Sequence, residues 1–164
     1  TGFGAGVFMY VGLLALTMAR HFLGAPVEGK MTPTLWVHLA PLSVIPLSML
    51  ALLKTTGDAS LLRYGSLVAA AFLGAALWWL VLAVSMTIRN RRQGKLPFAL
   101  SWWAFVFPIG ACSVLAYRVS ELLALEVLPL VASGLTLLAL FVWSATALGT
   151  VRGIRTGAIF APAH

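Results

Sequence analysis

The sequence predicts an all-α integral membrane protein with five transmembrane helices, and three observations carry that reading. The chain is 61% hydrophobic and only 9% charged, which is more apolar surface than a water-soluble domain of this size can hide. Its apolar residues fall into five runs of about 20, the length that crosses a hydrocarbon core of roughly 30 Å at 1.5 Å per residue. The basic residues sit between those runs and make no patch of their own. The net charge of +7 is therefore a topology signal rather than a nucleic-acid footprint.

The predicted crossings are Gly2 to Ala19, Pro33 to Leu53, Leu67 to Ile88, Phe98 to Tyr117 and Val127 to Val151. The first opens on "TGFGAG", which is glycine-rich but follows no strand, so a nucleotide loop is excluded. The second, "PTLWVHLAPLSVIPLSML", carries Pro41 and Pro46 in its interior. The third has no proline and offers a small-residue row, Ala71, Gly74 and Ala75, suited to close helix contact. The fourth holds Pro108 beside Ile109 and Gly110. The fifth has its one proline, Pro129, in the first turn, where it is harmless. The connectors are too short for a soluble domain.

Arg20, Lys30, Arg89, Arg91, Arg92, Lys95, Arg152 and Arg155 fall on one side of the membrane; Lys54, Arg63 and Arg118 fall on the other. The positive-inside rule puts the larger set in the cytoplasm. The expected orientation has the N-terminal end outside and the C-terminus inside, and the expected location is the plasma (inner) membrane. The first residue is Thr1 and no charged n-region precedes the first run, so a piece of a longer chain is expected.

An interior proline deletes a backbone bond and clashes with the preceding turn. At membrane depth such a kink is tolerated inside protein or beside a water-filled cavity. Pro41, Pro46 and Pro108 are confined to the second and fourth crossings, which points to smooth scaffold helices alternating with kinked, cavity-lining ones; proline kept for packing alone is the competing reading. In the fourth crossing Phe107 falls about 15 Å from Pro97, near the midplane. At 100° per residue it shares a face with Trp103, Gly110, Val114 and Tyr117. A ring with empty volume beside it suits a swinging plug, and equally a packing residue.

The run "LPFALSWWAFVFPIGA" resembles the ninth transmembrane helix of the tellurite-resistance/dicarboxylate transporter family, which spans TehA-type channels, plant slow anion channels and fungal malate carriers. Its core is Trp102 to Pro108, preceded by Pro97 and Phe98, and the paired prolines of the second crossing are similar to that family's seventh helix. The resemblance implies a ten-helix fold of five hairpins with kinked inner helices around a pore, often as a homotrimer. It implies that residues 1–164 are the C-terminal half of one such domain, helices six to ten, and that Phe107 is the pore gate. Only two inner helices are then present, so the missing N-terminal half is an expected partner, with membrane lipid and the transported anion. Pro108 is closer to the plant and carrier branches, which leaves the substrate open.

The expected function is anion transport, of small inorganic anions or C4-dicarboxylates. Alternatives are a proton-coupled malate carrier or a sulfite or tellurite exporter on the same fold, and a non-transporting subunit. Expected pore-lining residues are Trp103, Gly110, Val114, His38, Ile45 and Ser48. His38 shares a face with Pro41, Ile45 and Ser48; it reads as a proton-coupling group or as a hydrogen-bonded interhelical histidine. Arg118 reads as a mouth charge or as an interfacial arginine paired with Glu121. "RNRRQGK" reads as the topology determinant, an inner-mouth charge or a contact to anionic lipid. Cys112 reads as a small packing residue. Asp58, Glu28, Glu121 and Glu126 lie in loops or at helix ends, and the sequence has no His/Cys metal spacing, so neither catalysis, a metal nor a cofactor is expected.

Overall fold

A computed structural model describes residues 2–24, 32–96 and 98–157. Those residues are helical without a strand, and five helical stretches are long and apolar enough to cross a membrane. In chain order the elements are α1 (Gly2–Leu23), α2 (Thr32–Val37), α3 (Leu39–Thr55), α4 (Ala59–Arg92), a 3-10 segment (Leu100–Phe105), α5 (Val106–Leu123) and α6 (Leu128–Arg155). Helix α5 is the centre, packed against α3, α4 and α6; α1 leans on α3 at the edge. Lys30 of the topology count, Glu28 and Pro97 lie outside the described residues.

The second crossing is two helices, broken at His38. Pro41 explains the place of the break: it has no N–H to give the Val37 carbonyl four residues back, and its ring crowds that oxygen. The Leu42 N–H reaches the His38 carbonyl only at 3.5 Å. The exposed backbone acceptors are covered from neighbouring helices. Trp79 of α4 donates its indole N–H to the Leu35 carbonyl at 2.7 Å, and the Tyr10 hydroxyl of α1 donates to that of His38 at 3.4 Å. Pro46 lies inside α3 without ending it. Two further bonds pin α2 to the basic end of α4: Asn90 Nδ2 donates to Thr32 Oγ1 at 2.7 Å, and Trp36 Nε1 to Thr87 Oγ1 at 3.0 Å.

Helix α4 begins at Ala59, well before the expected start at Leu67. The Asp58 carboxylate caps it, accepting from the Ser60 and Leu61 N–H groups at 2.8 and 3.2 Å. The cap carries helix through Arg63, beyond the apolar run, for a length of about 51 Å. The packed row of α4 is Ala69, Leu73, Ala76 and Ala83, not the expected Ala71, Gly74 and Ala75. Ala71 and Ala75 instead border a hollow of about 330 Å³ shared with α1 and α3, and a Cβ at Gly74 would meet nothing.

The fourth crossing starts as a 3-10 segment and turns α-helical at Val106. Pro108 is the third residue of α5, where first-turn N–H groups have no helical partner in any case, so its missing donor costs little. The expected midspan kink at Pro108 is thus a change of winding just before it. Hydroxyls join α5 to α6: Ser113 Oγ donates to the Ala132 carbonyl at 2.8 Å and lies 2.7 Å from Thr136 Oγ1. Between them the turn uses Ala124 at φ 52°, with the Leu125 N–H returning to the Ser120 carbonyl at 3.3 Å.

Candidate functional site: the open strip of α5

Most of α5 is enclosed. Ile109, Cys112, Leu115, Ala116 and Val119 are fully buried, because small residues let α3, α4 and α6 come close on three sides. One strip stays bare: Trp103, Phe107, Val114 and Tyr117, with Gly110 half-buried among them. Phe107 is 65% exposed, whereas Phe105, two positions away, is 5% exposed. The difference is geometric, since residues two apart on a helix point to opposing sides. Phe105 packs edge-on against Trp36 and Trp102, at centroid distances of 5.2 and 5.8 Å.

The neighbours of Phe107 in the strip are held and Phe107 is not. Trp103 Nε1 donates to Thr150 Oγ1 at 3.3 Å, and the Tyr117 hydroxyl lies 3.1 Å from Ser133 Oγ. Among the described residues no aromatic ring stacks on Phe107. A Cβ at Gly110, one turn on, would meet nothing within 4 Å. The ring therefore has free volume on its own face.

At the Arg118 end the strip runs into a hollow of about 430 Å³ between α3, α4 and α5, bordered by Leu47, Lys54, Val114, Arg118 and Glu121. Arg118 and Glu121 form an exposed ion pair at 3.0 Å, a contact worth little by itself. Lys54 brings a second cation to the same hollow, so its net charge is positive. Sequence reading put Lys54 on the same side as Arg118 but did not assign it to the mouth, although its place in the last turn of α3 was a usable signal.

The other expected site residues divide by helix face. His38 turns to Trp79 and Tyr10, with ring centroids 5.2 and 6.3 Å away, toward α4 and α1. Ile45 faces the α1–α3–α4 hollow. The structure does not bring either beside Phe107. Ser43 is fully buried, its hydroxyl donating to the Leu39 carbonyl at 2.9 Å, and Leu47 borders the hollow with Val114. Turning onward from those two, the bare face of α3 is Val44 and Ala51, with Ser48 half-buried at its edge; Val37, at the end of α2, is exposed as well. Of the residues expected from α3, Ser48 is thus the one nearest that bare face. Among the described residues no group of His, Cys, Asp and Glu could hold a metal.

A family model described as "voltage-dependent anion channel" (SLAC1) matches residues 1–151. The chain belongs to this family. That agrees with the resemblance carried by Trp102 to Pro108, and the five apolar helices make it an integral membrane protein. Two proteins of Methanocaldococcus jannaschii, each named an uncharacterized transporter, are 31% identical over 159 residues, which is 97% of this chain and 46% of either relative. The chain thus spans about half the length of the curated relatives it matches. No solved structure matches it.

Proposed function

We propose that the whole protein passes anions through a pore, that α5 lines one wall of that pore, and that the Phe107 ring obstructs it. The observation that carries this is the bare, unstacked ring of Phe107 beside Gly110, on the open strip of a helix packed on three sides, in a chain of the anion-channel family. A lining of apolar rings and small residues gives an anion no tight site, so it can leave as readily as it enters. Positive potential comes from the ends, where Arg118 and Lys54 share a hollow. Trp103, Gly110 and Val114 continue the wall from α5, and Val44, Ala51 and Ser48 from α3. Small inorganic anions and C4-dicarboxylates both fit this chemistry. His38 faces α1 and α4, which favours an uncoupled channel over a proton-coupled carrier or exporter.

Two bare inner helices enclose no pore by themselves, so the proposal includes further helices from the rest of the protein. The greater length of the relatives supports that. It also includes a trimer of separately conducting protomers in the plasma membrane, N-terminal end outside. Replacing Phe107 with Ala in the whole protein should raise anion flux severalfold, measured in vesicles or by patch clamp. A loss of folded protein with no gain of flux in that variant rejects the gate. Orientation is read by thiol labelling of intact cells in a Cys112→Ser background: a Ser60→Cys variant should label from outside and a Gln93→Cys variant should not.

A further inference from the structure

On the side of the 3-10 segment away from Phe107, helices α4 and α6 stand apart and leave a crevice of about 270 Å³. Trp36, Trp102 and Phe105 border it beneath, and Phe141 and Val142 of α6 form one wall. Phe141 is 70% exposed, so the crevice opens sideways, toward what surrounds the helices. At the basic end of α4 the rim is Arg91, with Arg89, Arg92 and Lys95 next to it along the chain. No carboxylate among the described residues pairs with Arg91. The Thr87 hydroxyl inside the crevice is already engaged, accepting from Trp36 and donating to the Ala83 carbonyl at 2.7 Å. The site therefore offers apolar walls and a cationic rim, and no polar recognition within.

We infer that this crevice holds one anionic phospholipid of the leaflet that bathes the Arg89–Arg92 end of α4, its phosphate at Arg91 and an acyl chain over Phe105. Charge complementarity selects this occupant. Apolar walls alone cannot favour any lipid, because a tail leaving the bilayer for them gains no hydrophobic energy. The rim cation supplies the preference for a negative headgroup. A transported anion is a poor fit, since it would meet rings and no donor below the rim. The site is also separate from the α5 strip, as Phe105 and Phe107 point to opposing sides.

Trp36 and Trp102 make the test optical. The whole protein is placed in zwitterionic vesicles carrying a minor fraction of phosphatidylglycerol brominated on its acyl chain. Tryptophan quenching should exceed that from brominated phosphatidylcholine at the same fraction, corresponding to an about fivefold preference, the scale of one basic group at a charged leaflet. Arg91→Gln should abolish the preference, and Arg92→Gln should leave most of it. Ala145→Phe, which fills the crevice while keeping Arg91, should abolish it too. Equal quenching by the two lipids overturns the inference, as does an equal loss in the Arg91 and Arg92 variants, which would mark diffuse attraction only. Quenching by neither lipid above background, as when a second protomer covers the crevice, also overturns it. The readout needs no ion flux, so a failed gate at Phe107 leaves it standing.

Discussion

Helices α1 and α5 are both apolar along their length, yet they end in opposite situations. Helix α1 leans mainly on α3, with Phe8, Met9, Leu13 and Leu16 all exposed. Helix α5 is clasped by three helices. The difference lies in size and hydroxyls rather than hydropathy. In lipid, a large apolar side chain gains nothing by turning inward, because the tails are as apolar as a protein core. What draws helices together there is close packing and interhelical hydrogen bonds. Helix α5 supplies both, with Cys112, Ser113 and Ala116 on its packed side and Ser113 bonded to α6. In α1, Thr17 donates to the carbonyl of Leu13 in its own helix, and the Tyr10 hydroxyl donates to the His38 carbonyl at 3.4 Å. Against that background the bare strip around Phe107 stands out: it is an exposed face on the helix best equipped to hide one.

The comparison can be broken most sharply at Phe107 itself. If the strip is a pore wall, Phe107→Ala gives the largest change of any single substitution here, a rise in anion flux with the protein still folded. Next comes Phe105→Ala. Its ring is buried against Trp36 and Trp102, so truncation should leave a cavity costing about 3–5 kcal/mol, seen as a lower midpoint of denaturation in detergent without added flux. That makes Phe105 a test of packing and a poor neutral control. A smaller loss is expected from Asn90→Ala, about 1–2 kcal/mol, since it leaves buried Thr32 without its partner and loosens α2 from α4. Smallest is Phe8→Ala on the lipid side of α1, within about 0.5 kcal/mol of no change. A large effect at Phe8 would mean that another surface covers α1, and would remove the contrast with α5.

Several features were legible beforehand. The centres of all five spans follow from apolar run length, because the membrane imposes that length on any crossing helix. The family was legible in Trp102 to Pro108. Span ends were less so. Helix α4 continues past its apolar run because Asp58 caps it, a local hydrogen-bonding effect that hydropathy does not register. The proline effects were legible in kind but displaced in position: Pro41 breaks the helix three residues upstream at His38, and Pro108 is accommodated in a first turn.

The sequence by itself determined the all-α membrane class, the number of crossings and the face of α5 that carries Phe107. Those are properties of single helices, set by length and by 100° periodicity. Only the tertiary structure decided how each helix is rotated about its axis. Periodicity says that Pro41, Ile45 and Ser48 share a face, but in an apolar helix every face is equally acceptable to lipid. The choice therefore fell to specific pairings. The backbone freed at the His38 break meets Trp79 of α4 and Tyr10 of α1. Those contacts turn Ile45 toward α1 and leave Val44 and Ala51 bare, a rotation that no pattern within α3 encodes.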